Sequence, residues 1–183
     1  MSVNRIDRIK YLMTQYRSLS RTEPSEVNSI RGLFELLQHV SSSPPHSIIE
    51  IGCAEGVSTE IWCIFFDRVV GVEIGDEPGL SGPYKNFEFV KDASPQALER
   101  FAPGEFDMCY VDADHAEEPC FADIVACKRV VKPDGWIAGH DWQHHTVQRA
   151  IRRALGNVRV HIFTDMSWVV RLPLVEQRIE VIG

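Results

Sequence analysis

The 183-residue sequence lacks long apolar runs and has no excess of positive charge. No stretch is apolar for long enough to span a bilayer, so we expect no membrane partner. Lysine and arginine together number 19 against 26 acidic residues, which gives a formal charge of −7. A nucleic-acid-binding surface needs clustered basic residues, and this balance therefore predicts no nucleic-acid partner.

Cysteines are few, and their spacing shows no pairing pattern. There are five, an odd number, and no CxxC motif occurs, which predicts free thiols in a reducing compartment and no disulfide framework. The first seven residues also lack an apolar signal core. From these absences we expect a cytoplasmic protein.

The length and a hydrophobic fraction of 44% suit one domain spanning residues 1–183. Two helical patterns precede residue 46, and we expect residues 1–45 to form an N-terminal helical cap and linker. Residues 46–172 alternate between strand and helix patterns and are expected to form the core. Residues 173–183 are a tail without a clear assignment.

The core pattern predicts an α/β fold with a doubly wound, mostly parallel sheet. Five apolar strand patterns lie at residues 48–51, 69–74, 87–90, 108–111 and 136–138. Helical patterns lie at residues 56–66, 94–101, 119–131 and 143–155. Residues 158–163 and 167–172 are separated by a hairpin-sized gap and predict two antiparallel strands at the end of the sheet.

The first strand pattern ends in a glycine turn bounded by Gly52 and Gly56. Such a turn allows a ligand to approach the backbone closely, although an ordinary strand-to-helix connection has the same pattern. Neither GxGxxG nor GxxxxGK[S/T] is present, so a nucleoside without phosphates fits better than a dinucleotide. Glu73 ends the second strand about twenty residues later, where an acid can accept hydrogen bonds from a ribose. The alternative role for Glu73 is capping a helix.

Acidic or imidazole side chains follow every one of the five strands, at the edge where parallel sheets bind ligands. Asp112, His140 and Asp141 offer oxygen and nitrogen donors on neighbouring strands and could converge on one divalent cation. His115 lies just beyond the fourth strand and could accept a proton from a substrate. The alternative is that His140 and Asp141 cap the following helix and that His115 is merely exposed.

Together these motifs resemble those of class I S-adenosylmethionine-dependent methyltransferases. The resemblance rests on residues 50–56 (EIGCAEG), 72–73 (VE), 89–93 (FVKDA) and 106–112 (FDMCYVD). Residues 111–117 and 135–142 more narrowly resemble metal-dependent O-methyltransferases that act on catechols and on sugar hydroxyls. The resemblance implies a Rossmann-like, seven-stranded sheet that ends in an antiparallel hairpin, with N-terminal capping helices.

The resemblance also implies a role for each residue in binding S-adenosyl-L-methionine. The turn would close on the methionine part, Glu50 would lie near its ammonium group, and Glu73 would hold the ribose. Asp92 would contact the adenine amine, with Ala93 and Ile74 beside the ring. The complete expected cofactor set is Glu50, Gly52, Cys53, Ala54, Gly56, Glu73, Ile74, Asp92, Ala93 and Asp112.

For the chemistry, the resemblance implies that Asp112, His140 and Asp141 hold a divalent metal, Mg²⁺ or Mn²⁺, and that His115 is the catalytic base. Relatives usually have two acids, or an acid and an amide, where this chain has His140 and Asp141, so softer ions are also admitted. The expected partners are a small-molecule hydroxyl acceptor and a second copy of the chain in a homodimer. The alternatives are a metal-independent methyltransferase, a catalytically silent S-adenosylmethionine-binding protein and an NAD-dependent oxidoreductase.

Overall fold

A seven-stranded sheet lies at the centre of this computed structural model, which describes residues 24–41, 44–80 and 82–173. The strand order is β3-β2-β1-β4-β5-β7-β6. The first five strands in this order pair in parallel, and β7 pairs antiparallel with both β5 and β6. The strands are β1 (Ser47–Ile51), β2 (Arg68–Glu73), β3 (Phe87–Lys91), β4 (Phe106–Val111), β5 (Val131–Gly139), β6 (His161–Ile162) and β7 (Trp168–Arg171).

Helices cover both faces of the sheet, as the apolar strands require. They are α1 (Pro24–Val40), α2 (Val57–Phe65), α3 (Glu117–Val130), α4 (His145–Leu155) and a short 3₁₀ helix, Gln96–Arg100. Alternate residues of β1 point to opposite faces. Ile48 packs in the cluster that contains α1 and α2 residues, whereas Ile49 packs with residues of α3 and α4. The predicted doubly wound, Rossmann-like α/β fold with a terminal antiparallel hairpin is thus confirmed.

The sheet changes its winding direction between β1 and β4. From β1 the chain proceeds outward to β2 and β3, and it then returns to place β4 on the other side of β1. Ligands of doubly wound sheets bind in the crevice at the carboxyl ends of the strands beside such a switch point. The glycine turn after β1 and the polar residues after β4 therefore lie in the expected ligand region.

Several predicted elements differ in extent. The helix predicted at residues 94–101 is only a 3₁₀ turn, because Pro95 leaves few residues before Phe101 ends the segment. β5 begins at Val131, five residues earlier than predicted, since it continues directly from α3. β6 has two residues instead of six, because this edge strand pairs only with the short β7. The first predicted helix and residues 174–183 of the tail lie outside the described residues.

One cysteine prediction is wrong. Cys109 of β4 and Cys127 of α3 form a disulfide, with their Cα atoms 6.0 Å apart, whereas Cys53, Cys63 and Cys120 are free and buried. The pairing was not visible in the sequence because it joins a strand to the helix that covers it.

No helix within the described ranges combines the length and apolar character needed to cross a membrane.

Candidate active site

The glycine turn after β1 packs tightly against the ends of the two neighbouring strands. Gly52 and Gly56 have φ angles of 85° and 87°, in the left-handed region that favours glycine. A Cβ atom on Gly52 would lie 2.1 Å from the carbonyl oxygen of Asp112. The Gly52 N–H also donates to the carbonyl of Val72 at 2.9 Å. The turn is therefore packed between the ends of β2 and β4, and the cofactor and metal candidates are neighbours.

Glu73 holds the glycine turn to the end of β2. Its Oε2 atom accepts hydrogen bonds from the backbone N–H groups of Cys53 and Ala54, each at 3.2 Å. Its Oε1 atom accepts from those of Ile74 at 2.8 Å and Gly75 at 3.1 Å. Burial acts against ionisation, but these four donors prevail and lower the pKa of Glu73. An ionised carboxylate thus lies between the two loops.

Glu50 is fully buried behind the turn. Its carboxylate accepts hydrogen bonds from three side chains of α2: Ser58 and Thr59, each at 2.5 Å, and Trp62 at 2.9 Å. Burial raises the pKa of Glu50 to about 7, although these donors oppose the shift. Sequence reasoning missed these three partners. Their spacing on one side of a helix that follows the acid-bearing strand is the signal that could have revealed them.

The predicted adenine-binding residues lie on the β2–β3 side of the turn. Asp92 accepts hydrogen bonds from the backbone N–H of Ala93 at 2.8 Å and from Arg100 at 2.5 Å, and these lower the pKa of Asp92. Ile74 follows Glu73 directly, and 73% of its surface is exposed. An apolar side chain with this much exposed surface can pack against a planar aromatic ring of a ligand.

Asp112, His140 and Asp141 come together at the carboxyl ends of β4 and β5. The Nδ1 atom of His140 lies 3.1 Å from Oδ2 of Asp141 and 4.0 Å from Oδ1 of Asp112. One donor atom from each residue lies within 4.8 Å of the others. Asp141 has a φ angle of 63°, so its backbone turns in the left-handed region as β5 ends. The sequence-predicted metal ligands are thus neighbours.

The charges in this cluster shift its pKa values. Burial disfavours the cation, but the hydrogen bond to Asp141 and the charge of Asp112 prevail and raise the pKa of His140 to about 9. Burial raises the pKa of Asp112. The pKa of Asp141 is lowered, because contacts with His140 outweigh burial. The Nε2 atom of His140 is buried and has no hydrogen-bond partner among the described residues, so it is a polar atom that a ligand could satisfy.

His115 reaches the same carboxylate from the loop after β4. Its Nε2 atom lies 2.6 Å from Oδ2 of Asp141. Gln143 donates to Oδ1 of Asp141 at 2.6 Å, and the Nε2 atom of His144 lies 3.8 Å from Oδ1. The rings of His115 and His144 are stacked, with their centroids 5.1 Å apart. Sequence reasoning missed His144 and Gln143, although both follow Asp141 within one turn.

A sequence profile described as a methyltransferase domain matches residues 49–142, just over half of the chain. The chain belongs to this methyltransferase family. The matched region begins in β1 and ends just after Asp141, so it includes the glycine turn, Glu73 and the Asp112 cluster.

Curated relatives that match part of this methyltransferase domain are named O-methyltransferases. The ubiquinone biosynthesis O-methyltransferase of Pseudomonas putida (strain GB-1) is 24% identical over 131 residues, covering 68% of this chain and 53% of that protein. This chain spans about half the length of the curated relatives it matches.

Solved structures share the fold at low sequence identity. The MycE methyltransferase of the mycinamycin biosynthetic pathway, in complex with Mg, S-adenosylhomocysteine and mycinamycin VI, aligns with a TM-score of 0.62 and 15% identity, covering 87% of this chain and 57% of MycE. The N-methyltransferase NodS of Bradyrhizobium japonicum WM9, in complex with S-adenosylhomocysteine, aligns with a TM-score of 0.59 and 19% identity, covering 95% and 100%. Identities this low support the fold alone.

The donor chemistry of the methyltransferase domain fits a divalent cation. Asp112 and Asp141 offer carboxylate oxygens and His140 offers an imidazole, a combination suited to Mg²⁺, Mn²⁺ or another first-row ion. The same carboxylate, that of Asp141, also contacts His115. The candidate metal ligands and the candidate base thus form one connected group.

Proposed function

We propose that this chain transfers the methyl group of S-adenosylmethionine to a hydroxyl group of a small molecule, with His115 as the base. In this proposal Asp112, His140 and Asp141 hold a divalent cation, Mg²⁺ or Mn²⁺. The contact that carries the proposal is the 2.6 Å approach of His115 Nε2 to Asp141 Oδ2, at the same end of the sheet as the glycine turn.

The glycine turn supports cofactor binding. The left-handed backbone at Gly52 and Gly56 forms a tight turn at the carboxyl end of β1, where ligands of doubly wound sheets bind. Glu73 presents an ionised carboxylate between the two loops, and it can exchange backbone donors for ribose hydroxyls. The family to which the chain belongs, and the complex of NodS with S-adenosylhomocysteine, favour this cofactor.

His115 is arranged to accept a proton. A proton on Nε2 would be donated to Asp141, which leaves the lone pair of Nδ1 free. In the proposed reaction the acceptor hydroxyl gives its proton to this nitrogen. The acceptor oxygen then forms a bond to the methyl carbon as the carbon–sulfur bond breaks, and S-adenosylhomocysteine leaves. Asp141 fixes the ring orientation and stabilises the imidazolium that forms.

The carboxylates of Asp112 and Asp141 and the imidazole of His140 would hold the cation. When bound, a divalent cation lowers the pKa of a hydroxyl group and orients neighbouring oxygen atoms. Hydroxyl acceptors are favoured over amines by the names of the curated relatives, which are O-methyltransferases.

A metal-independent methyltransferase is the second candidate, because His140 already lies between the two carboxylates. Its Nδ1 atom is 3.1 Å from Asp141 and 4.0 Å from Asp112. An imidazolium in this position balances the carboxylate charge without a metal. In that case His140 organises the pocket, and His115 and Asp141 keep the roles given above.

The first experiment is calorimetry of S-adenosylhomocysteine binding to the full chain, with Mg²⁺, with Mn²⁺ and with a chelator. We expect binding in all three conditions, and absence of binding in all three would overturn the proposal.

The second experiment measures methyl transfer from S-adenosylmethionine to a panel of catechols and vicinal sugar diols. We expect methyl transfer by the wild type, its loss when a chelator is added, and a lower rate in Asp112→Asn. Asp114→Asn is a matched control, because Asp114 is exposed and lies outside the donor set. Transfer that is insensitive to chelator supports the metal-independent candidate instead. Cofactor binding without transfer to any acceptor contradicts the proposed activity and indicates a binding protein.

A further inference from the structure

We infer that His115, Asp141 and His144 form a second cation site, which suits a borderline transition metal such as Zn²⁺. It shares Asp141 with the set of Asp112, His140 and Asp141, called the oxygen-rich set below, and the two sites therefore compete for this carboxylate. Donor atoms of these three residues lie within 4.8 Å of one another. The site itself does not depend on the proposed reaction, whereas its effect on turnover, described below, rests on the proposed function.

Two imidazole nitrogens approach opposite oxygens of the Asp141 carboxylate. The Nε2 atom of His115 is 2.6 Å from Oδ2, and the Nε2 atom of His144 is 3.8 Å from Oδ1. The two rings are nearly parallel, with an interplanar angle of 15° and centroids 5.1 Å apart. Both Nε2 atoms thus lie beside the one carboxylate.

Capping of α4 does not explain the orientation of the His144 side chain. It occupies the N-cap position of α4, yet its side chain makes no capping hydrogen bond. The backbone closes a turn instead, in which the His144 N–H donates to the Asp141 carbonyl at 2.9 Å. This turn, with Asp141 at a φ of 63°, brings the His144 side chain to the carboxylate.

The position of the two histidines makes the site accessible. The side chains of His115 and His144 are 44% and 48% exposed, whereas that of Asp141 is only 11% exposed. A cation arriving from solvent can therefore reach both imidazoles, and the buried carboxylate lies beneath them.

Donor chemistry separates the two sites. Two imidazoles and one carboxylate are a common ligand set for Zn²⁺, with a fourth position left for water. The other set, Asp112, His140 and Asp141, has two carboxylates and one imidazole, and it suits harder ions such as Mg²⁺. Because Asp141 belongs to both sets, filling one site weakens the other.

Occupation of the second site would remove the base. A metal at Nε2 of His115 takes the lone pair of that nitrogen, so the proton of the neutral ring must move to Nδ1. Nδ1 then has no lone pair to accept a proton from the acceptor hydroxyl. We expect Zn²⁺ to inhibit methyl transfer while leaving S-adenosylhomocysteine affinity unchanged.

The test is calorimetry of Zn²⁺ binding to the metal-stripped full chain, without cofactor or acceptor. We expect His144→Ala to weaken the tightest Zn²⁺ binding by tenfold or more. His145→Ala is the matched control, because it makes the same change one residue away, at an exposed position outside both donor sets, and should leave binding unchanged. Wild-type affinity in His144→Ala, or an equal loss in both variants, would overturn the inference.

A third variant distinguishes the two sites. Asp112→Asn removes a ligand of the oxygen-rich set only, so it should weaken Mn²⁺ binding and leave Zn²⁺ binding close to that of the wild type. The opposite pattern, in which Asp112→Asn weakens Zn²⁺ binding and His144→Ala does not, places Zn²⁺ in the oxygen-rich set and contradicts the inference. Neither measurement requires turnover, so failure of the methyl-transfer proposal would not produce either result.

Discussion

The imidazole of His115 and the carboxylate of Asp141 meet at 2.6 Å, although one follows β4 and the other follows β5. The pairing determines which nitrogen of His115 can act. When Nε2 carries the proton donated to Asp141, Nδ1 is the free acceptor. In the proposed reaction, a base held in this way would contribute only to the chemical step, whereas cofactor binding would depend on the glycine turn and Glu73.

The first prediction concerns His115→Ala. Loss of a positioned general base typically lowers the rate by about 10²–10⁴, so we expect kcat to fall in this range. The affinity for S-adenosylhomocysteine should stay within about twofold of the wild type, as an order-of-magnitude expectation for a residue outside the cofactor set. Initial rates and calorimetry measure the two quantities. His145→Ala again serves as the control, and an equal loss of rate and affinity would contradict the base role.

The second prediction concerns Glu73, which accepts four backbone N–H groups from two loops. In Glu73→Ala these donors lose their acceptor and the ribose would lose its proposed partner, so we expect S-adenosylhomocysteine binding to weaken by more than tenfold. Calorimetry measures the loss, and circular dichroism checks that the chain remains folded.

Glu77→Ala is the matched control for Glu73→Ala, since Glu77 is exposed in the same β2–β3 connection. It should bind S-adenosylhomocysteine like the wild type. Glu73→Gln keeps one acceptor oxygen and should lie between the wild type and the alanine variant. Cofactor binding by a folded Glu73→Ala at wild-type strength would remove Glu73 from the cofactor site.

Much of the fold could be predicted because buried parallel strands have a distinctive sequence pattern. Ile48, Ile49 and Ile51 identify β1, and all of β1 is buried. The carboxyl ends of the parallel strands share one edge, so the neighbouring positions of Asp112 and Asp141 followed from topology alone. The lengths of β5 and β6 did not follow, because they depend on which partner strands are present.

The sharing of Asp141 could not be read from the sequence. The sequence predicted Asp141 as a metal ligand and His115 as a base for the substrate. It did not predict the 2.6 Å contact between them, because this contact depends on the conformations of two loops. The same holds for the partners of Glu50. The resemblance implied a place for Glu50 beside the cofactor ammonium, which stays a prediction, but the three α2 donors around its carboxylate were not predicted. Side-chain partners of this kind depend on tertiary packing, which local patterns do not encode.

The third prediction concerns Gly52→Ala. The new Cβ atom would lie 2.1 Å from the Asp112 carbonyl oxygen, a backbone atom that cannot simply rotate away, and the φ angle of 85° is unfavourable for alanine. The backbone conformation alone costs about 1–3 kcal/mol, so we expect Tm to fall by several degrees. Thermal unfolding measures the change. Gly79→Ala is the control, because nothing lies within 4 Å of its added Cβ. Equal Tm values for the two variants would contradict the close packing at Gly52.

The fourth prediction concerns the stability contributed by Glu50. This carboxyl group is fully buried, and its hydrogen-bond partners are neutral side chains. Burial raises its pKa from 4.5 to about 7. In the unfolded chain Glu50 loses its proton above pH 4.5, whereas in the folded chain it retains the proton up to about pH 7. Folding therefore takes up a proton between these values, and the contribution of Glu50 declines as the pH rises.

The stabilisation that Glu50 contributes through its raised pKa is complete only below pH 4.5, and it is lost as the pH rises to about 7. At 1.36 kcal/mol per pKa unit, the free energy of unfolding loses about 3 kcal/mol over this range. Glu50→Gln is the informative comparison, because the amide has a similar shape, can still accept from Trp62 and does not titrate. We expect the free energy of unfolding of the wild type, relative to Glu50→Gln, to fall by about 3 kcal/mol between pH 4 and pH 8. Urea unfolding at a series of pH values measures this difference, and contributions from all other groups cancel between the two proteins. A difference that stays constant across this interval would mean that Glu50 has the same charge in the folded and unfolded chains, and that its three donors hold the carboxylate ionised inside the protein.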